Sequence, residues 1–81
     1  MGKYYAQTNK YGELVKHIAV LEIAGENVEI ELNIMRYGGH KEDQLDIRRW
    51  TDKGVMLKGI ALKESSARKL MECLMDYFEE V

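Results

Sequence analysis

The 81-residue chain contains no proline, and only one cysteine, one tryptophan and one phenylalanine. Without proline, no residue imposes a kink or marks a strand edge, so punctuation falls to glycine and to short polar clusters. The single thiol, Cys73, has no partner within the chain. That excludes an internal disulfide framework and makes a reducing, cytoplasmic compartment the expectation. Long apolar runs are missing too: the longest, Ile18 to Leu21, is four residues, against the roughly 20 that a membrane-spanning helix needs. No membrane partner is expected, and no apolar run of signal-peptide length opens the chain. An excess of positive charge is also absent, with 12 Lys and Arg against 14 Asp and Glu for a net charge of -2. That balance argues against a generically basic nucleic-acid binder.

What is present describes a folding chain, since 46% of residues are hydrophobic and 32% are charged. At this length folding hides only about 60–65% of the unfolded chain's surface, so the margin of stability is thin. Association with a second copy is expected to supply the missing burial.

Residues 1–14 read as a weakly ordered arm in which Lys3, Tyr4, Tyr5, Lys10 and Tyr11 lie among small and polar residues. The domain proper is residues 15–81. His17 to Ile23 is apolar and β-branched and predicts a first strand, closed by a turn at Ala24 to Asn27. Val28, Ile30, Leu32 and Ile34 then alternate with Glu29, Glu31, Asn33 and Met35, the two-residue period of a sheet with one wet face. Gly38 and Gly39 open a polar connection through His40, Lys41, Glu42 and Asp43, and Gln44 to Trp50 alternates again. Thr51 to Gly54 supplies a tight turn with glycine where a positive φ is wanted. Val55 to Leu62 is the fourth strand, and Gly59 inside it marks a bulge or bend. Beyond it the period changes: Ala67, Leu70, Met71, Leu74, Tyr77, Phe78 and Val81 recur at three- and four-residue spacing. They predict an amphipathic helix of four to five turns. No capping box follows Ser65 or Ser66, which leaves its start open. The fold class is α+β, with four strands followed by one C-terminal helix (ββββα).

Dividing the charge along the chain changes its meaning. Residues 1–35 carry three bases and five acids, residues 36–63 seven bases and four acids, and residues 64–81 two bases and five acids. The middle segment is therefore basic, and the helix is acidic. If Leu45 and Ile47 face the core, Asp46, Arg48 and Trp50 share the opposite face, joined by Tyr37 from the second strand and Lys58 from the fourth. Cations beside aromatic rings suit single-stranded nucleic acid: the cations track phosphates, and a base stacked on a ring contributes roughly 1–3 kcal/mol whatever its identity. Set against this, an Arg or Lys on a strand face is ordinarily just a solvated charge, and Trp50 beside a turn also suits a core edge.

The string LDIRRW (Leu45 to Trp50), followed after a short turn by LKGIAL (Leu57 to Leu62) and a helix, resembles the transcriptional positive-cofactor-four family, nearest to its bacterial YdbC-like branch. The segment ELNIMRY (Glu31 to Tyr37) is similar to the second strand of the bacterial members, and the resemblance covers about residues 17–78. It implies a curved four-stranded antiparallel sheet with a C-terminal helix, a homodimer formed partly through that helix, and a β-surface for single-stranded DNA with little sequence preference. Such members act in transcription or in handling exposed single strands. Carried over by position, Arg48, Trp50 and Lys58 contact the strand, and Arg36, Tyr37 and Lys41 take the place of the family's hairpin residues. The sequence departs in placing Glu29 and Glu31 on the wet face, in its short turn at Asp52 to Gly54, and in its acidic balance. Single-stranded RNA likewise offers phosphates and bases that stack on rings.

Other chemistry is not signalled. His17 and His40 are far apart and Cys73 stands alone, so no zinc spacing is present. No set of acids and bases forms a catalytic constellation, and neither an enzyme nor a cofactor is expected. Gly38 and Gly39 precede no helix, which rules out a phosphate loop. The expected function is sequence-tolerant single-stranded DNA binding by a homodimer. The alternative is a dimeric protein-interaction module with little nucleic-acid affinity, and it gains if Tyr37, Arg48, Trp50 and Lys58 are scattered or Trp50 is buried.

Overall fold

A computed structural model describes residues 12–38 and 42–79. Four strands and one helix follow in chain order: β1 (Gly12–Gly25), β2 (Val28–Tyr37), β3 (Gln44–Thr51), β4 (Met56–Leu62) and α1 (Glu64–Glu79). The strands form one open antiparallel sheet in the order β1-β2-β3-β4, so every neighbour in space is a neighbour in sequence. The ββββα expectation is met. The expected N-terminal arm lies outside the described residues, except that Gly12 to Leu14 belong to β1.

Strand β1 begins five residues earlier than its apolar run suggests, because Gly12, Glu13 and Leu14 pair with Tyr37, Arg36 and Met35 of β2. Against β2 it is irregular. Register shifts fall between Leu14 and Lys16, His17 and Ala19, Val20 and Glu22, and Ile23 and Gly25. Val15, Ile18, Leu21 and Ala24 are thus extra residues, one in every three, each leaving its strand bent and locally more twisted. That three-residue rhythm is why the segment shows no clean alternation.

The connections use the backbone that their residues favour. Asn27 turns β1 into β2 with φ 62°, a left-handed conformation that asparagine tolerates better than most side chains. Gly54 has φ 83°, and its N–H donates to the Thr51 carbonyl at 3.0 Å, closing the turn before β4 as expected. The Asp52 N–H donates to the Asn27 carbonyl at 3.0 Å, which ties the two turns together at one end of the sheet. Helix α1 opens with Ala67 N–H bonded to the Lys63 carbonyl at 2.9 Å. Glu64 puts negative charge in its first turn, where it complements the helix dipole, and bonds Arg68 one turn on.

Cross-strand partners share a face. Leu32 pairs with Ile47, Ile34 with Leu45, and these with Ile60 and Leu62 of β4, so the apolar set converges as the alternation predicts. The helix lies on this side, over an open apolar groove of about 330 Å³ lined by Leu21, Leu32, Leu45, Ile47 and the helix residues Ala67, Leu70, Met71, Leu74 and Met75. Cover is incomplete, for no residue of α1 is buried and Tyr77 and Phe78 are 63% and 65% exposed. The opposite face, expected to be wet, holds the largest fully buried side chains: Trp50, Met35, Glu31, Asn33 and Asp46. Alternation determines which residues stand together. It carries no information on which side is covered.

Gly59 sits directly across from Arg48, next to a bulge between that pair and the Trp50–Met56 pair. A Cβ at position 59 would lie 1.9 Å from Arg48 Cβ and 2.5 Å from the Ile47 carbonyl oxygen. Backbone atoms cannot yield cheaply, so Gly59→Ala is expected to cost about 2–3 kcal/mol of stability in a denaturant titration. Gly25→Ala, where nothing lies within 4 Å, should change it by less than about 0.5 kcal/mol.

Candidate nucleic-acid interface

Asp46, in the interior of β3 and fully buried, organises the sheet face that looks away from the helix. Its two oxygens accept from Arg48 Nε at 2.5 Å and Nη2 at 2.7 Å, a fork-to-fork pair that i, i+2 spacing on a strand makes possible. The Tyr37 hydroxyl donates to the same carboxylate. Arg48 Nη1 donates in turn to the Leu57 carbonyl at 3.2 Å, crossing to β4 over the space that Gly59 leaves open. The guanidinium carbon lies 5.8 Å from the centre of the Tyr37 ring, within cation–π range. Gly12 makes room for that ring, since a Cβ there would come within 2.6 Å of it.

These contacts set the local proton affinities. Burial is the main reason the Tyr37 phenol is pushed well above its ordinary range, and the hydrogen bond to Asp46 and its negative charge add to it. The hydrogen bond to Asp46 leads in raising Arg48, ahead of an opposing cost of burial. Removing Arg48 would leave a buried carboxylate without its counter-ion, a loss on the order of 3–5 kcal/mol.

A second polar cluster adjoins the first. The Asn33 side-chain amide lies 2.6 Å from His17 Nδ1 at one end, and at the other 3.3 Å from both Glu31 Oε1 and the Trp50 indole nitrogen. His17 Nδ1 is also 3.7 Å from Glu31 Oε1. The register continues this face through the Glu31–Arg48 and Asn33–Asp46 pairs.

The expected site residues are therefore only partly gathered. Tyr37, Arg48 and Trp50 stand on one face, and the first two touch. Trp50, expected as an open stacking ring, is instead fully buried with its indole nitrogen turned to Asn33. Lys58 does not join them: Gly59 is the residue opposite Arg48, and the bulge beside it turns the exposed Lys58 toward the other face, with Arg49. Arg36 is exposed and bonded to Asp43, Nη2 at 2.7 Å and Nε at 3.0 Å. Lys41 lies outside the described residues. Asp46, Asn33 and Glu31 were expected on this face but not as site residues, and His17 was not expected there. Asp46 and Asn33 had a signal, as polar residues at the centres of strands, where a polar side chain needs a partner if covered.

Family profiles, curated proteins and solved structures were all compared with the chain, and none matches. Among the described residues no group of three or more His, Cys, Asp or Glu could hold a metal ion, and no helix is long and apolar enough to cross a membrane.

The Tyr37–Asp46 bond has a pH signature. A phenol held protonated in the folded state adds stability in full below about pH 10, its unfolded value, and that contribution is lost as pH rises toward the raised folded value. Stability measured against pH should fall in the alkaline range. Tyr37→Phe is expected to lose about 1.5–3 kcal/mol at neutral pH and to show a shallower alkaline decline, and an unchanged slope would contradict the assignment.

Proposed function

We propose that the protein binds single-stranded DNA with little regard to sequence, as a homodimer, through the sheet face built around Tyr37 and Arg48. One observation carries this: an arginine held by a buried carboxylate against a tyrosine ring, on the sheet face opposite the helix. A buried ion pair is a weak source of stability, whereas a cation and a ring held in one geometry meet a nucleotide without further ordering cost. Asp46 and the Leu57 carbonyl take three of the five Arg48 N–H groups, and the side chain is 15% exposed. Exposed Arg36, near the end of β2, is a further cation, paired with Asp43 in the free protein. With few such cations, affinity is modest and salt-sensitive, falling with a log–log slope of about -0.7 per phosphate neutralised. Dimerisation rests on the half-covered apolar face of α1 and its groove. The compartment is the cytoplasm, where exposed Cys73 stays reduced, and the role lies in transcription or in handling exposed single strands.

The burial of Trp50 favours a second reading, a dimeric protein-interaction module in which this polar face is internal structure and the exposed apolar helix binds a protein.

Because Trp50 is shielded in the free protein, binding is best read from the strand. A labelled oligodeoxythymidine, and its RNA counterpart, titrated by anisotropy at low and moderate salt should bind and weaken as salt rises. Arg36→Glu should reduce affinity about tenfold or more, and Lys69→Glu on the helix should leave it unchanged. Absence of binding at low salt would overturn the nucleic-acid reading in favour of the interaction module. In sedimentation at micromolar concentration a dimer is expected, converted to monomer by Leu74→Glu; a stable wild-type monomer would contradict both.

A further inference from the structure

We propose that residues 1–11 of the chain lie as a strap over the polar face of the sheet and shield Trp50.

The face needs a cover that the described elements do not provide. Among the described residues the only element outside the sheet is α1, and it lies on the other side, over Leu32, Leu45 and Ile47. A side chain standing on a single layer of strands keeps its outer end in water unless a second layer lies over it. Yet Trp50, Met35, Glu31, Asn33 and Asp46 are fully buried in a single copy of the chain, so the cover is the chain's own. Gly12, His17, Glu29, Glu31 and Trp50, all on this face or at its edge, each have a further interaction besides those in the two polar clusters.

Three stretches of the chain lie outside the described residues, and length separates them. Residues 80–81 follow α1, on the opposite side of the sheet. Residues 39–41 join β2 to β3 and reach at most about 10 Å, whereas Trp50 stands about 20 Å along β3 from Gln44. Residues 1–11 enter β1 at Gly12, which is buried and pairs with Tyr37 at one end of the face. Extended, they reach about 36 Å. That is enough to run back over the roughly 26 Å from Tyr37 to Glu29, the partner of Trp50.

Charge and shape agree with length. Among its described residues the face carries the carboxylates of Glu29, Glu31 and Asp46 against the guanidinium of Arg48. Residues 1–11 (MGKYYAQTNKY) hold Lys3 and Lys10 and no acid. A second copy of the sheet face would instead present the same three carboxylates, like charge against like. Tyr4, Tyr5 and Tyr11 add rings with a hydroxyl at the tip, suited to close over Trp50 and Met35 while offering donors to buried carboxylates. The strap is required whether or not the face takes up nucleic acid; a strand that binds there gains access by displacing it.

Trp50, the one tryptophan, reports the strap directly. In the intact protein its emission should lie at short wavelength with little quenching by acrylamide. Lys3→Glu with Lys10→Glu, which sets like charge against Glu29 and Glu31, should move the emission to longer wavelength and raise quenching at least about threefold while circular dichroism shows the sheet intact. Lys69→Glu on the helix should do neither. Position is read independently from a nitroxide on Gln7→Cys in a full-length chain carrying Cys73→Ser. It should broaden the Trp50 indole N–H resonance within the labelled molecule, and not when spin-labelled chains are mixed with isotope-enriched, unlabelled ones. Unchanged emission and quenching in the folded double variant, or an indole resonance that stays sharp, would overturn the strap. Broadening confined to the mixture would assign the cover to a second copy and overturn it equally.

Discussion

The buried carboxylate of Asp46 is the constraint on which much of this molecule depends. A charge removed from water costs several kcal/mol unless every lone pair is met, and here a bidentate guanidinium and a phenol meet it. The demand spreads outward. Arg48 must lie flat along the sheet, so β4 must present a residue without a side chain at position 59. Tyr37 must reach Asp46 from the end of β2, so β1 must open with glycine at position 12. Two glycines and a bulge follow from one aspartate.

The two faces of the sheet solve different problems. On the helix side, shape is loose and chemistry is uniform: an apolar groove, a helix with no buried residue, and methionines that adapt to whatever packs on them. On the other side, chemistry is exacting and shape is closed, with five fully buried side chains, three of them polar or charged. Loose apolar surfaces gain from association, whereas satisfied polar clusters confer orientation. The two kinds of surface are thereby kept on opposite sides of a single layer of strands.

Much of the architecture was legible in the sequence, and the parts that were not share a physical cause. Glu29 to Met35 and Leu45 to Trp50 gave their faces away because regular pairing preserves the two-residue period. Gly54 and Gly59 signalled a turn and a bulge because only glycine suits those positions without strain. The start of β1 was hidden because its period is three rather than two, a property of its pairing with β2 and not of its own residues. The burial of Trp50 was hidden because alternation is blind to which face is covered. Lys58 was misplaced by one residue for the same reason that Gly59 was informative: a bulge ends the alternation on which the face assignment relied.

The irregular pairing of β1 also governs what the sheet does not do. Among the described residues it is the first strand of an open sheet, 14 residues long, a length that could template a further strand. Its extra residue in every three breaks the even spacing of N–H and C=O groups that an incoming strand would need to match. The edge is guarded by its rhythm together with the exposed charges of Glu13, Lys16 and Glu22, without proline, and apolar residues such as Val20 and Ile23 stay exposed on it.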